Sequence, residues 1–370
     1  MSRRILHIIY SLEKAGAEET LAKLVINDHI NNHRILTLTG GDYYLTNQIE
    51  KESIKVYSLN IKKNLLLFPL YLIRSLKIIR EEKVSIIHSW MYVSDVFSSL
   101  LGFIANKEVI WCVRNTTLRI GGSSLYSIFS RFIQIPLSYI SPNKIIYCSL
   151  SAKSLHEKMG FNKRLSVHIP NGINTELFKP INKRILNYGN LRIGMPARFD
   201  EQKNHILLLE TIHELIKNKI NPTNIKFILA GRDVNYNNLK NIYKKDLDIL
   251  LPYIGIMGEV KDMNKFYNSI DFCIVCSSYG EAFPNVIAEA MATGAPCIST
   301  DVGDAKLIIG DTGFIVNGYE PINLFQTLLY ILGITSNLFS IKSKMARVRI
   351  KNNFSQENMI KKYQELYSKI

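Results

Sequence analysis

A parallel α/β protein built as two domains is the fold class that this sequence predicts, on three observations. Short apolar runs rich in Ile and Val alternate with longer helical patterns along the whole chain, as in parallel strands joined by right-handed crossovers. The rhythm breaks at Pro170-Asn171-Gly172 and through the polar stretch 179–190, then restarts. The chain has 370 residues, more than one typical core accommodates and enough for two.

Taken in order, residues 5–9 form a buried-strand run, 18–30 a helix, and 35–39 and 56–59 strands. Residues 65–82 are helical with Pro69 early in the pattern, and strands follow at 84–88, 108–113, 144–148 and 166–169. After the break, strands are expected at 191–195, 225–230, 253–256, 272–275, 296–299 and 314–316, with helices between them and a last helix over 356–367. These patterns place a first domain at 1–178, a second at 179–354 and a closing helix in 355–370.

Composition narrows the class. With 47% hydrophobic and 21% charged residues the chain is an ordinary folded protein. Five scattered cysteines fit a reducing compartment, and Cys273-x-x-Cys276 lies inside an apolar run, so a core role outweighs a metal or redox one. The sequence shows neither a membrane-spanning apolar run nor a cleavable signal pattern after Ser2-Arg3-Arg4, which gives the expectation of a cytoplasmic protein.

The net charge is +15 and uneven, with 23 Lys and Arg against 13 Asp and Glu in residues 1–180. That half faces something negative. Nucleic acid fits poorly, because no binding module or aromatic-basic string is present. Two stretches, 62–80 and 118–144, interleave basic residues with Phe68, Tyr71, Tyr126, Phe129, Phe132 and Tyr139. They read either as core-facing helices with wet basic backs or as surfaces for an anionic bilayer, and with the charge bias the expectation is peripheral attachment to the inner face of the plasma membrane.

Segment 272–304 carries the densest chemistry. A buried strand leads into the polar loop Ser277-Ser278-Tyr279-Gly280, then into a helix near Pro284 that Gly294-Ala295-Pro296 stops. Glu281 falls in the loop and Glu289 on the helix, both near its amino end. A helix amino terminus at the carboxyl end of a parallel strand offers N–H groups to an anion. Two acidic acceptors beside it suit a ligand that is both phosphate and polyol. Arg198 and Lys203 follow the first strand of the second half, and a guanidinium fork beside an ammonium suits a diphosphate. Asp246-Leu247-Asp248 lies in a Lys-rich pattern and reads as a solvated face, and no metal is expected.

The string Glu281-Ala282-Phe283-Pro284-Asn285-Val286, Glu289-Ala290-Met291-Ala292, Gly294, Pro296 and Thr300-Asp301-Val302-Gly303-Asp304 resembles the E-x7-E region of retaining glycosyltransferases of family 4. That resemblance implies the GT-B fold, two Rossmann-like parallel-sheet domains facing across a cleft, with the last helix returning to the first domain. It also implies transfer of a sugar from a nucleotide diphosphate sugar, a UDP-sugar being favoured, to an acceptor hydroxyl without a further cofactor. The family's usual tasks point to a polyprenyl-diphosphate-linked sugar of a bacterial surface polysaccharide as acceptor.

By the same resemblance Arg198 and Lys203 hold the diphosphate, with N–H groups of Gly16 and of 283–286. Glu289 accepts from ribose, Glu281 sits against the donor sugar, and Gly231, Gly258 and Val260 border the nucleotide through their backbone. Ser11 to Glu18 is similar to the family's Gly-Gly-Ala-Glu loop, with Ala15 in place of the first glycine. His88, Trp90 and Arg114 match the acceptor side, with Val93 where related chains often carry His. His88 is left between bonding a substrate and a structural role, and Arg114 between an acceptor phosphate and a neighbouring acid. Two rival functions stay open at this level, a nucleotide-sugar 2-epimerase on the same fold and a nucleotide-sugar-binding subunit without catalysis.

Overall fold

The computed structural model describes residues 2–370 apart from 14, 42, 62–66, 117–124, 183, 187–188, 219, 221–224 and 244, with the backbone alone at 125–128. The chain divides into two units, residues 1–172 with 356–370, and residues 173–355. The division comes six residues before the expected one. Ile173 already pairs with Ser355, and its N–H donates to Phe354 O at 2.9 Å, so the chain joins the second unit directly after Gly172.

The first unit runs β1 (Arg4–Ile9), α1 (Gly16–Asn27), β2 (Asn32–Thr37), α2 (Tyr44–Lys51), β3 (Val56–Ser58), α3 (Phe68–Glu81) and β4 (Ile86–Trp90). It continues with α4 (Tyr92–Ala105), β5 (Glu108–Val113), α5 (Leu125–Leu137), β6 (Lys144–Tyr147), α6 (Leu150–Lys158) and β7 (Ser166–His168). Among the described residues its seven strands are all parallel, in the order β3-β2-β1-β4-β5-β6-β7. Strands buried on both faces read as unbroken apolar runs, which is why β1 and β5 were legible.

The second unit holds β8 (Leu191–Pro196), α7 (His205–Lys217), β9 (Ile225–Ala230), α8 (Tyr236–Ile242), β10 (Ile254–Gly258), α9 (Met263–Asn268) and β11 (Phe272–Val275). After these come α10 (Asn285–Ala292), β12 (Cys297–Thr300), α11 (Ala305–Ile309), β13 (Phe314–Val316), α12 (Pro321–Leu332) and α13 (Ser336–Asn353). Among the described residues its six parallel strands are ordered β10-β9-β8-β11-β12-β13. In each sheet the order reverses once, between β1 and β4 in the first and between β8 and β11 in the second. Open α/β sheets bind ligands at the carboxyl ends of the strands flanking such a reversal.

The last helix, α14 (Gln356–Lys369), belongs to the first unit, where Met359, Ile360, Tyr363, Leu366 and Tyr367 enter the core. It also closes a buried polar chain. The Trp90 indole can only donate, so its N–H, 3.1 Å from His7 Nδ1, fixes the remaining His7 proton on Nε2. His7 Nε2 then donates to His33 Nδ1 at 2.9 Å, and His33 Nε2 to Asp28 Oδ2 at 3.0 Å. Gln364 of α14 donates to the other Asp28 oxygen at 2.9 Å.

Burial of histidines makes the fold acid sensitive. Burial holds His7 and His88 well below the usual value of 6.5 and pushes His156 and His205 down to about 4. As pH falls below 6.5 the unfolded chain takes up protons on all four that the folded chain refuses, so stability drops. Asp95 opposes this, because burial raises its carboxyl to about 7, and Glu18 and Asp271 are raised by burial as well. The four histidines outweigh the raised carboxyls, and the net effect of acid is a loss of stability. The melting temperature is therefore expected to decline steadily from pH 7 to pH 4.5, and a flat profile would contradict neutral burial of these rings.

Candidate active site

In the second unit, the loops leaving β8, β9 and β10 are laced together in series. Ala197 N–H donates to Ala230 O at 2.8 Å, Phe199 N–H to Arg232 O at 2.8 Å, and Gly231 N–H to Gly258 O at 2.6 Å. Gly231 is required for this approach, since a Cβ there would lie 2.1 Å from Ala197 O. The lacing fixes the backbone from which Arg198 and Lys203 project. Arg198 is half exposed, and its Nε donates to Asp200 Oδ2 at 3.2 Å. Val260 follows Gly258 just beyond β10 and is partly buried.

Across the strand-order reversal, the β11 exit places Glu281 against Lys203. The Lys203 ammonium and the Ser277 hydroxyl, the latter at 2.9 Å, both donate to Glu281 Oε1. The ends of β8 and β11 line a single small cavity together with Lys203, Ser277 and Val286. The backbone around Glu281 is held from below, with Asp304 N–H on Ala282 O at 2.9 Å and Thr300 Oγ1 on Ser277 O at 2.6 Å. Gly303, at φ +58°, permits this contact, because a Cβ would sit 2.6 Å from the carbonyl oxygens of Glu281 and Ala282.

Helix α10 begins at Asn285 with Pro284 as its N-cap, so the expected row of N–H donors at 283–286 is broken at Pro284, which has none. Asn285 and Val286 take the first two helical positions, whose amides have no intrahelical acceptor. Ala282 and Phe283 are buried, and the Phe283 ring packs edge-on against Phe354 at 5.6 Å. Phe283 thus offers backbone alone. At the other end, Arg184 Nε donates to Thr293 O at 3.1 Å and Arg347 Nη1 to Ala292 O, so two guanidinium groups meet the negative end of the helix. Glu289 faces Tyr267, whose hydroxyl donates to its Oε2 at 2.9 Å.

The residues expected from the first half fare differently. Gly16 opens α1 behind the N-cap Ala15, with nothing within 4 Å of where its Cβ would stand. His88 and Trp90 are fully buried. His88 Nδ1 lies 2.8 Å from Tyr367 Oη and Trp90 donates to His7, so among the described residues both side chains are engaged within the core and not at a strand exit. The cause is the extent of β4, which runs through Trp90 in register with Cys112 and leaves His88 in mid-strand, not at its exit. Arg114 stands at the exit of β5, and its partners are Thr20, Asn171, Cys112 and the Trp90 ring.

Ser277, Tyr267 and Arg184 were not singled out in the sequence. Ser and Tyr carry no positional signature, and Arg184 sits in the polar stretch that marked the domain boundary. The five cysteines are buried and form no disulfide. Asp246 caps a short 3-10 turn with Asp248 exposed beside it, and among the described residues no group of three His, Cys, Asp or Glu could hold a metal.

Two family models match the chain, "Glycosyltransferase Family 4" over residues 16–177 and "Glycosyl transferases group 1" over residues 190–333. Together they take in most of both units. The chain belongs to glycosyltransferase family 4.

Among curated relatives of this glycosyltransferase is the UDP-Gal:alpha-D-GlcNAc-diphosphoundecaprenol alpha-1,3-galactosyltransferase of Escherichia coli, 27% identical over 209 residues. That match spans 54% of this chain and 53% of the relative, about half of each. The capsular polysaccharide biosynthesis glycosyltransferase CapM of Staphylococcus aureus is 25% identical over 324 residues, 80% of either chain. Among solved structures, Anabaena Alr3699/HepE in complex with UDP superposes with a TM-score of 0.84 at 18% identity, over 99% of this glycosyltransferase and 100% of that chain. The fold is GT-B.

Proposed function

We propose that this glycosyltransferase moves a hexosyl group from a UDP-sugar to a hydroxyl of a polyprenyl-diphosphate-linked sugar, with retention at the anomeric carbon, during assembly of a bacterial surface polysaccharide. The carrying observation is the convergence of Lys203, Ser277 and Glu281 at the strand-order reversal beside the start of α10. A UDP-bound structural neighbour and a relative named for a diphosphoundecaprenol acceptor support the choice of donor and acceptor.

The chemistry follows from charge. As the sugar–oxygen bond breaks, the departing diphosphate gains negative charge, and fixed cations stabilise that state more than the bound substrate. Arg198 and Lys203 supply the cations, and the amides at the start of α10 add positive potential. Before the donor arrives both cations hold carboxylates, Asp200 and Glu281. Transfer of Lys203 to phosphate releases Glu281 towards the sugar. In a front-face route the leaving phosphate oxygen takes the acceptor proton, and no enzymic nucleophile is required.

The acceptor reading includes a membrane. Phe129, Phe132 and Ile133 on α5, Tyr139 and Ile140 just beyond it, and Phe103 and Ile104 at the end of α4 are exposed on the unit that carries most of the excess positive charge. Among the described residues no single helix is long and apolar enough to cross a bilayer. The sequence stretches 62–66 and 118–124, part of the expected basic surfaces, lie outside the described residues.

A thermal-shift panel of UDP, GDP, ADP and their sugars tests the donor. UDP and a UDP-sugar are expected to stabilise the chain, by about 2.7 kcal/mol at a hundred times Kd. Stabilisation by GDP or ADP in preference to UDP would overturn the choice. Product configuration by proton NMR then decides retention, an α-linked donor giving an α-linked product.

A further inference from the structure

Arg114 is a half-buried cation held by neutral groups. Its Nη2 donates to Thr20 Oγ1 at 2.9 Å and to Asn171 Oδ1, its Nη1 lies 3.8 Å from Cys112 Sγ, and the guanidinium carbon sits 5.4 Å from the centre of the Trp90 ring. Thr20 spends its own proton on Gly16 O at 2.8 Å, so a lone pair is what it turns to Arg114. Thr20 and Asn171 are both under a tenth exposed. Among the described residues no carboxylate lies within 4 Å of the guanidinium, and its Nε–H has no protein partner. Glu18, the acid that feels its charge, forms no ion pair with it.

Desolvating a guanidinium without an anion is costly, and neutral acceptors orient it without cancelling the charge. Thr20 and Asn171 approach from α1 and from the segment after β7, and Arg114 from the end of β5. All three stand where a parallel sheet presents its strand exits to a ligand. A guanidinium fork fixed in this way fits the oxygens of a phosphate.

We propose that Arg114, oriented by Thr20 and Asn171, is a phosphate-binding site of the first unit whose occupant is the diphosphate of the acceptor. The proposal rests on the lipid-diphosphate acceptor argued above. It explains why a basic first unit should carry an unneutralised arginine when the donor diphosphate already has Arg198 and Lys203. It also makes the acceptor's charge, and not its sugar alone, a determinant of specificity.

The test uses the full chain with the donor cations removed, R198A/K203A, so that any remaining phosphate binding belongs elsewhere. Inorganic pyrophosphate is expected to raise the melting temperature of this variant saturably, and R114M added to it should weaken that binding at least tenfold, with R114K keeping part of it. Undecyl diphosphate is expected to bind R198A/K203A at least tenfold more tightly than UDP. R114M alone is expected to melt somewhat lower than the unsubstituted chain, because it removes the donor to the buried Thr20 and Asn171 oxygens. Absence of pyrophosphate binding in R198A/K203A, or binding indifferent to R114M, would overturn the site. Equal binding of UDP and undecyl diphosphate would reassign it to the donor. Failure of the donor reading shows separately, as no response of the unsubstituted chain to UDP.

Discussion

Replacing Arg198 with alanine is expected to lower kcat by about 10²–10³-fold while leaving the fold intact, the range seen when one preorganised donor to developing charge is lost. Arg198 is half exposed and its pair with Asp200 is a surface one, of little worth to stability. The melting temperature should therefore stay within about 2 °C of the parent. Lys203→Ala should cost as much activity and some stability besides, because Lys203 and Glu281 are mostly buried and the carboxylate would keep Ser277 as a donor without a cation. Initial rates with a UDP-sugar, beside thermal denaturation of the same preparations, separate the two effects. Near-normal turnover in a folded Arg198→Ala protein would remove that residue from the mechanism.

The largest effect on stability is expected at Arg184. Its guanidinium donates to the carbonyl oxygens of Tyr267, Ile270 and Thr293, and to the Thr293 hydroxyl, joining the end of α9 to the end of α10. Burial lowers its pKa to about 10, still far above neutrality, so it remains charged. Arg184→Ala strands three acceptors at once, for roughly 3–5 kcal/mol in all. In a unit of this size that is a fall of roughly 10 °C in melting temperature. Tyr267 in turn holds Glu289, so UDP affinity should fall in step. Arg184→Lys keeps the charge but lacks the fork, and it should recover less than half of the loss. An unchanged urea midpoint in Arg184→Ala would show that these carbonyls find other partners.

Most of the fold was legible because its strands are short, apolar and buried on both faces. The bounds of β5, β9, β11 and β13 came directly from such runs. Misjudged ends have local causes. Helix α1 stops at Asn27, short of Ile30, because the Asp28 carboxylate turns back to accept Ile30 N–H at 3.0 Å and to hold His33. The strand expected at 84–88 starts later because Lys83 adopts φ +49° and Val84 N–H bonds Ile79 O, which makes Val84 the closing turn of α3.

The site was legible where chemistry is local in sequence. Arg198 with Lys203, and Glu281 with the start of α10, each lie within one loop. What joins them is not local, since Lys203 meets Glu281 across 78 positions and Arg184 meets Thr293 across 109. His88 shows the same limit. Its motif suggested a strand exit, but its burial is set by Tyr363 and Tyr367 of a helix far along the chain.

Amide hydrogen exchange of the full chain, with and without a saturating UDP-sugar, localises the donor most directly. Protection is expected in two peptides of the second unit, one covering 198–204 and one covering 277–289, and it should vanish in Arg198→Ala/Lys203→Ala. Protection confined to other segments, or equal in the substituted chain, would show that the donor does not rest on the exits of β8 and β11.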